Sequence, residues 1–324
     1  MNRLRAYRAI EGINQEQLGE LLDISPQMVS AIESGRRDFS GDLTRIGYAP
    51  ERLALPDMSE PLHRQRASTK VAAKNRATEL LRLAGEVFGE LHEKTYRAPD
   101  MMLERFSAPQ SLADVEEMAI DVRCMLRHEE HGPIRNLTAA IERAGVCIIP
   151  IVGLAGIDGL SAWVGDVPVI GVAPTVPGDR YRFTLAHEVG HLLFHARKSE
   201  TAENEANRFA GALLFPRADF DAAMPSRPNL RDFGNMKSSW GVAISALVYR
   251  AHELGYIDDK RYRALQIQMS KWQKNEPGMF QSVRGQLLAR LFDVNGGTDE
   301  VAKSLGFNGS HLAQLTNWNH LRVA

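Results

Sequence analysis

The segment RFTLAHEVGHLLFH, residues 182–195, constrains this chain more than any other stretch. His187 and His191 are four residues apart, so in a helix both imidazoles lie on one face and Glu188 lies beside them. Two imidazoles at this spacing can bind one Zn²⁺ ion, which lowers the pKa of a bound water, and the adjacent glutamate is placed as its general base. We therefore predict zinc as the cofactor. His195, one turn further on, is predicted to be a histidine at the rim of the site, with a role as ligand as the alternative.

A catalytic zinc site needs a third protein ligand and one open position. The next helical segment, TAENEANRFAGALLFP, places Glu203 and Asn207 on the same face as its apolar residues. A carboxylate on a buried face needs a partner, and a metal ion can be that partner. We predict Glu203 as the third ligand, and Asn207 as a residue that steadies a ligand from behind. Glu205 stays the alternative ligand; otherwise it is expected to form a surface pair with Arg208.

The N-terminal residues predict three short helices. The first spans Arg3–Glu11, the second follows Asn14 with Gln17 completing a capping box, and the third follows Ser25 with Pro26 at its first position. Two helices joined by a three-residue turn have the spacing of a helix-turn-helix unit. The side chains predicted to face its core are Leu18, Leu21, Leu22, Val29 and Ile32.

In a helix-turn-helix, residues at the start of the second helix reach the base edges. The predicted DNA contacts are Gln15, to a phosphate, and Gln27, Met28 and Ser30. Residues 1–57 hold seven Lys/Arg against nine Asp/Glu, a net charge of −2 that disfavours phosphate binding. Residues 62–82 carry a net charge of +5, and a helical stripe there could lie along a DNA backbone: Arg66, Lys70 and Lys74. Recognition of a protein partner by the same small domain is the alternative to DNA binding.

Strand patterns occur only in the middle of the chain. VCIIPI is followed by GLSAWV and VPVIGV, and Gly165-Asp166 between the last two predicts a hairpin. The fold class is therefore mainly helical α+β, with one small antiparallel sheet. A sheet beside the metal-binding helix would let an extended peptide add as a further strand.

The predicted division of the chain has five parts. They are a helix-turn-helix domain (1–57), a helical linker with the basic stripe (58–109), a metallopeptidase-like core (110–222), its helical completion (223–280) and a C-terminal helical extension (281–324).

Composition limits the remaining classes. The net charge of −1 gives no global signal for nucleic acid or membrane, and no apolar run is long enough to span a bilayer. The two cysteines lie far apart in apolar contexts, which predicts buried, reduced thiols. The N-terminus lacks the apolar core of a signal peptide. We expect a cytoplasmic protein without membrane partners.

RFTLAHEVGHLLFH followed by ENEANRFAGALLFP closely resembles the ImmA/IrrE family of zinc metallopeptidases, and the similarity extends over roughly residues 110–265. This resemblance implies a compact zincin-like fold, the ligands His187, His191 and Glu203, and Glu188 as the catalytic glutamate. Members of that family cleave helix-turn-helix repressors. The first fifty residues resemble an XRE/Cro-type repressor domain.

By the same resemblance, Tyr249 is the favoured donor to the oxyanion, with Arg250 and His252 as alternatives. Residues 281–324 resemble no family.

These patterns together predict a zinc-dependent endopeptidase coupled to transcriptional regulation, which cleaves a repressor or another regulatory protein. One alternative is a DNA-binding regulator or antitoxin-like partner whose zinc fold is a sensor. Another is a purely structural zinc site, which has no need of Glu188. We also expect a homodimer, because a helix-turn-helix gains affinity when paired across two half-sites.

Overall fold

The computed structural model describes residues 2–62, 71–95, 103–153, 158–195, 199, 201–272, 276–278 and 280–318. The fold is mainly helical with one small three-stranded sheet, as predicted. Two compact units are present. Unit 1 consists of Met1–Pro99, Val146–Pro174 and Gly285–Ala324, and unit 2 consists of Asp100–Gly145 and Thr175–Arg284. Each unit therefore gathers segments that are distant in the sequence.

Fifteen helices and three strands lie in the described residues. The helices are α1 Arg3–Glu11, α2 Gln15–Leu22, α3 Pro26–Glu33, α4 Val71–Lys94, α5 Leu112–Met125, α6 Leu137–Arg143, α7 Gly178–Phe194, α8 Ala202–Leu214, α9 Arg217–Ala223, α10 Leu230–Trp240, α11 Ile244–Glu253, α12 Asp259–Ser270, α13 Leu287–Val294, α14 Thr298–Leu305 and α15 Gly309–Thr316. The strands are β1 Cys147–Pro150, β2 Gly159–Val164 and β3 Val167–Val172, and two 3₁₀ turns cover Leu43–Ile46 and Pro50–Leu53.

The N-terminal helices have the predicted bounds and caps. Asn14 and Gln17 form the capping box of α2, and Ser25 accepts from the backbone N–H of Met28 at the start of α3. Asp23 takes the left-handed conformation at the turn, with φ 59°, where glycine is common. The prediction for Leu21 is wrong: it is 45% exposed, because the eight-residue α2 buries only the narrow stripe that includes Leu18 and Leu22.

The sheet of unit 1 differs from the prediction in one respect. β2 and β3 form the predicted antiparallel hairpin, but β1 pairs with β3 in parallel, so the sheet is mixed with order β1-β3-β2. The Gly165-Asp166 turn determines only the hairpin, and nothing in the sequence of β1 specifies its direction. Helix α4 packs on this sheet, with Gly85 against Val164.

The outer edge of β2 is already paired. Ser59 N–H donates to the carbonyl of Trp163 at 2.8 Å, and Leu62 exchanges both backbone hydrogen bonds with Ser161. An added strand therefore cannot pair with Ser161 or with the carbonyl of Trp163 on this edge.

In unit 2, α7 and α8 pack closely against each other. Gly190 makes this approach possible, because a Cβ at this position would lie 3.0 Å from Phe209. A buried ion cluster ties α8 to the neighbouring helices. Glu116 on α5 pairs with Arg208 on α8 at 2.5 Å and with Arg250 on α11 at 2.9 Å. Glu116 thus links α5 to both α8 and α11.

Two predictions about composition can be compared with the structure. No helix in the described part of the chain has the length and apolar character needed to cross a membrane. Cys124 and Cys147 are both free thiols, as predicted, but only Cys147 is buried; Cys124 is exposed on α5.

Candidate metal centre

Helix α7 places the metal-binding motif in a buried position. Its apolar residues Leu185 and Val189 are fully buried, which fixes the rotation of the helix about its axis. His187 and His191 then lie on a second buried face, with exposed fractions of 7% and 1%. Glu188 is buried as well, at 2% exposed. A helix that buries histidine and glutamate side chains needs polar partners for them.

Glu203 at the start of α8 completes a group of three possible ligands. One nitrogen or oxygen of each of His187, His191 and Glu203 lies within 4.8 Å of the others. The two Nε2 atoms are 3.0 Å apart, and the Glu203 carboxylate is 3.4 Å from the Nε2 of His191 and 3.7 Å from that of His187. Tetrahedral zinc with bonds of about 2.0–2.1 Å requires ligand atoms about 3.4 Å apart. The three side chains therefore fit a zinc ion.

The hydrogen bonds behind the two imidazoles support the same conclusion. His187 Nδ1 lies 3.1 Å from Asn207 Oδ1, and an amide oxygen only accepts, so Nδ1 carries the hydrogen and Nε2 keeps its lone pair. His191 Nδ1 lies 3.0 Å from His195 Nδ1. If it also donates, two nitrogen lone pairs and a carboxylate point at one another, an arrangement that a cation between them stabilises.

Glu205 has a different partner from the one predicted. Its carboxylate accepts from His195 Nε2 at 2.8 Å, while Arg208 is held by Glu116 and Glu253. The expectation that His195 lies at the rim is also wrong, because its side chain is 4% exposed. Burial lowers the pKa of His195, and the hydrogen bond to Glu205 offsets part of that shift. Sequence reasoning missed this chain from Glu205 through His195 to His191 because two helices contribute to it.

The three residues considered for the oxyanion have different surroundings. The Tyr249 hydroxyl donates to Asn204 Oδ1 at 3.3 Å, and Asn204 follows Glu203 in the sequence. Arg250 is bound by Glu116, and His252 pairs with Asp259 at 2.7 Å. Arg250 and His252 are therefore engaged in ion pairs, while Tyr249 contacts α8, the helix that carries Glu203.

The helix-turn-helix presents a shallow groove along α3. The groove has a volume of about 600 Å³ and is lined by Gln15, Pro26, Gln27, Ser30, Ala31 and Arg36. Gln27 is exposed and Met28 is half-buried. Gln15, the predicted phosphate contact, donates one hydrogen bond to Glu33 at 2.8 Å. Arg36 was not among the predicted contacts, although its position just after α3 places a cation in this groove.

The basic stripe is described only in part. Arg66 and Lys70 lie outside the described residues, and Lys74 is half-buried near the start of α4. Two other cations counted in the charge of this segment have internal partners. Arg76 donates to the carbonyl of Ile10, and Arg82 pairs with Glu79. The charge of Arg82 is therefore balanced within the protein, and the guanidinium of Arg76 is engaged by backbone carbonyls.

Comparison with known families agrees with these features. Residues 141–252 match the family model of Peptidase M78, the IrrE N-terminal-like domain. Residues 4–43 match that of the helix-turn-helix family. None of the curated proteins matches the chain. The resemblances inferred from the sequence are thus confirmed, and the chain carries an IrrE N-terminal-like domain with a helix-turn-helix domain in front of it.

Proposed function

We propose that this protein is a zinc-dependent endopeptidase that cleaves a regulatory protein. The observation that supports this proposal best is the convergence of His187, His191 and Glu203 within 4.8 Å, with a buried Glu188 on the same helix. A structural zinc site is usually closed by four protein ligands, and three with an adjacent glutamate are typical of a hydrolytic site. The match to an M78 peptidase domain supports the same class of reaction.

The side chains have distinct roles in this proposal. His187, His191 and Glu203 would hold the zinc, which supplies a Lewis acid for the scissile carbonyl and for water. Glu188 accepts the proton of the attacking water and later delivers it to the leaving amine. Tyr249 donates a hydrogen bond to the oxygen on which negative charge develops. Asn207 and His195 hold the two imidazole rings in the orientation that exposes Nε2.

The helix-turn-helix domain supports a regulatory substrate. A DNA-reading domain in the same chain would bring the peptidase to a promoter or to a repressor bound there. Homodimerisation would strengthen DNA binding by pairing two such domains. The alternative function is a DNA-binding regulator or antitoxin-like partner whose zinc site senses a signal without hydrolysis.

The test compares the parent with Glu188→Gln and with Glu117→Gln, which makes the same chemical change at an exposed site on α5. Each protein is assayed for zinc content and for cleavage of a helix-turn-helix repressor encoded next to its gene and of a proteome-derived peptide library. We expect equal zinc in all three and hydrolysis lost only in Glu188→Gln.

Full hydrolysis by Glu188→Gln would disprove the role of that residue as general base. A zinc-loaded parent that cleaves neither the repressor nor any library peptide would favour the sensor function.

A further inference from the structure

The last three helices repeat the geometry of the first three. Helix α1 ends four residues before α2 begins, and α13 ends four residues before α14 begins. Helices α14 and α15 have eight residues each and are joined by three residues, as are α2 and α3. Helix α13 contacts both α14 and α15, just as α1 contacts both α2 and α3. A constant offset of 283 positions relates the two sets, as from Leu18 to Val301.

Backbone conformation and caps agree at the same offset. The residue after α2, Asp23, and the residue after α14, Gly306, are both left-handed, with φ 59° and 69°. Ser25 and Asn308 both cap the following helix through a side-chain oxygen. Equivalent backbone hydrogen bonds close both turns, at 2.9 Å each: Ile24 to Gly19 and Phe307 to Ala302.

The buried positions agree as well. Each core residue of α2 and α3 has a buried counterpart 283 positions later. The pairs are Leu18 and Val301, Gly19 and Ala302, Leu22 and Leu305, Val29 and Leu312, and Ile32 and Leu315. A core with the same residue classes at the same positions specifies the same packing.

The C-terminal copy, α13–α15, differs from the N-terminal copy, α1–α3, in the surroundings of its last helix. Met28 at the third position of α3 is half-buried beside the open groove, whereas its counterpart His311 is fully buried. His311 Nδ1 lies 2.7 Å from the hydroxyl of Tyr48, and its Nε2 lies 2.7 Å from the carboxylate of Glu11. The third position of α15 is thus occupied by α1 and by Tyr48, while Ser310 before it is exposed.

The turn between α14 and α15 also contacts the N-terminal residues. Asn308 Nδ2 donates to the carbonyl of Ile46 at 2.9 Å, and Ala49 N–H donates to the carbonyl of Gly306 at 2.9 Å. Arg52 stacks on Phe307, with its guanidinium carbon 4.2 Å from the ring centroid. These contacts engage three consecutive residues of the turn, 306–308.

We propose that residues 287–316 are a second helix-turn-helix unit, and that this copy binds protein instead of DNA. Its partner is the N-terminal helix-turn-helix domain of the same chain. It docks on α1 and residues 46–52 through α15, the counterpart of the helix α3 that reads bases, and through the turn before α15. Sequence-specific DNA contacts of the chain are then confined to α3. This inference concerns unit 1 alone and does not depend on peptidase activity.

Hydrogen exchange on the full-length chain tests the docking role. Asn308→Ser keeps a cap residue, the one the first unit uses at position 25, but removes the amide donor to Ile46. Ser25→Asn is the reciprocal control. We expect the amides of residues 46–52 to exchange about tenfold faster in Asn308→Ser and in His311→Ala, and at the parental rate in Ser25→Asn. Should His311→Ala fail to fold, Asn308→Ser decides the question, and unchanged exchange there would overturn the docking role.

Retention of the protein on immobilised double-stranded DNA at low salt tests whether α15 contacts DNA. Gln27 and Ser310 are exposed at the same position of their helices, so Gln27→Glu and Ser310→Glu are matched changes. We expect about tenfold weaker retention for Gln27→Glu and parental retention for Ser310→Glu. Equal weakening by both changes would overturn the proposal, and a parent that does not bind DNA leaves α15 without a DNA role.

Discussion

Replacing His195 by alanine is expected to weaken zinc binding without removing any ligand. His195 Nε2 donates to the Glu205 carboxylate at 2.8 Å, which leaves its Nδ1, 3.0 Å from His191 Nδ1, to accept a hydrogen bond when the ring is neutral. Both bonds hold the His191 ring so that Nε2 faces the other two ligands. Loss of such a partner costs about 10- to 100-fold in metal affinity, which corresponds to about 1.4–2.8 kcal/mol.

The loss is also visible in thermal stability. With free zinc at about 100 times the parental dissociation constant, zinc contributes about 2.7 kcal/mol, and this falls to about 1.4 or 0.4 kcal/mol in a variant that binds 10- or 100-fold more weakly. For a unit of this size, the zinc-induced rise in Tm should be smaller in His195→Ala by about 3–9 °C. The comparison uses the difference in Tm between zinc-loaded and zinc-free protein. The substitution leaves the same cavity in both forms, so the stability lost through that cavity cancels in this difference.

Competition with a chromophoric chelator at neutral pH measures the affinity directly. His252→Ala, which removes a histidine paired with Asp259, is the control and should bind zinc as the parent does. Glu205→Gln keeps an oxygen that can accept from His195, so its zinc affinity should lie between those of His195→Ala and the parent. A zinc affinity of His195→Ala within about threefold of the parent would refute the reasoning, because the His191 ring would then be held by α7 alone.

Three further changes test other parts of the chain. Glu116→Gln removes the carboxylate that pairs with both Arg208 and Arg250, which are buried, and should cost about 3–5 kcal/mol, or about 6–20 °C in Tm by calorimetry. Lys74→Ala should weaken DNA binding equally at all sequences and lower the salt slope by about one, whereas Gln27→Ala should change base preference; identical effects would contradict this distinction. Burial lowers the pKa of His311, so the stability that its neutral form supports is present above about pH 6.5 and is lost on acidification. Between about pH 7.5 and 5.5, the Tm of the parent should therefore fall more than that of His311→Gln. Equal falls in Tm for the two proteins would contradict this role of His311.

Local signals in the sequence predict much of the N-terminal domain and of α7. Caps and turns depend on residues three or four apart, so Asn14 with Gln17 and Ser25 with Pro26 specify helix bounds directly. The spacing of His187 and His191 places both imidazoles on one face of α7 in the same way. The helix bounds are confirmed because the interactions that determine them lie within one helical turn.

Features that depend on two distant segments could not be predicted in this way. The sequence offers Arg208 as a neighbour for Glu205, and only the packing of α7 on α8 brings His195 closer. The direction of β1 depends likewise on which strand lies beside it, and the pattern of β1 is compatible with either direction. Pairing across the fold decides both.

The second helix-turn-helix unit shows why an internal repeat can escape detection in a sequence. The two copies share few residue identities, because each requirement is met by a different residue of the same class. A left-handed position accepts Asp23 or Gly306, and an N-cap accepts Ser25 or Asn308. The distinction between a copy that can read DNA and one that binds protein then involves the third residue of the second helix. Whether that residue is open, as in α3, or buried against another helix, as His311 is, depends on the fold around it.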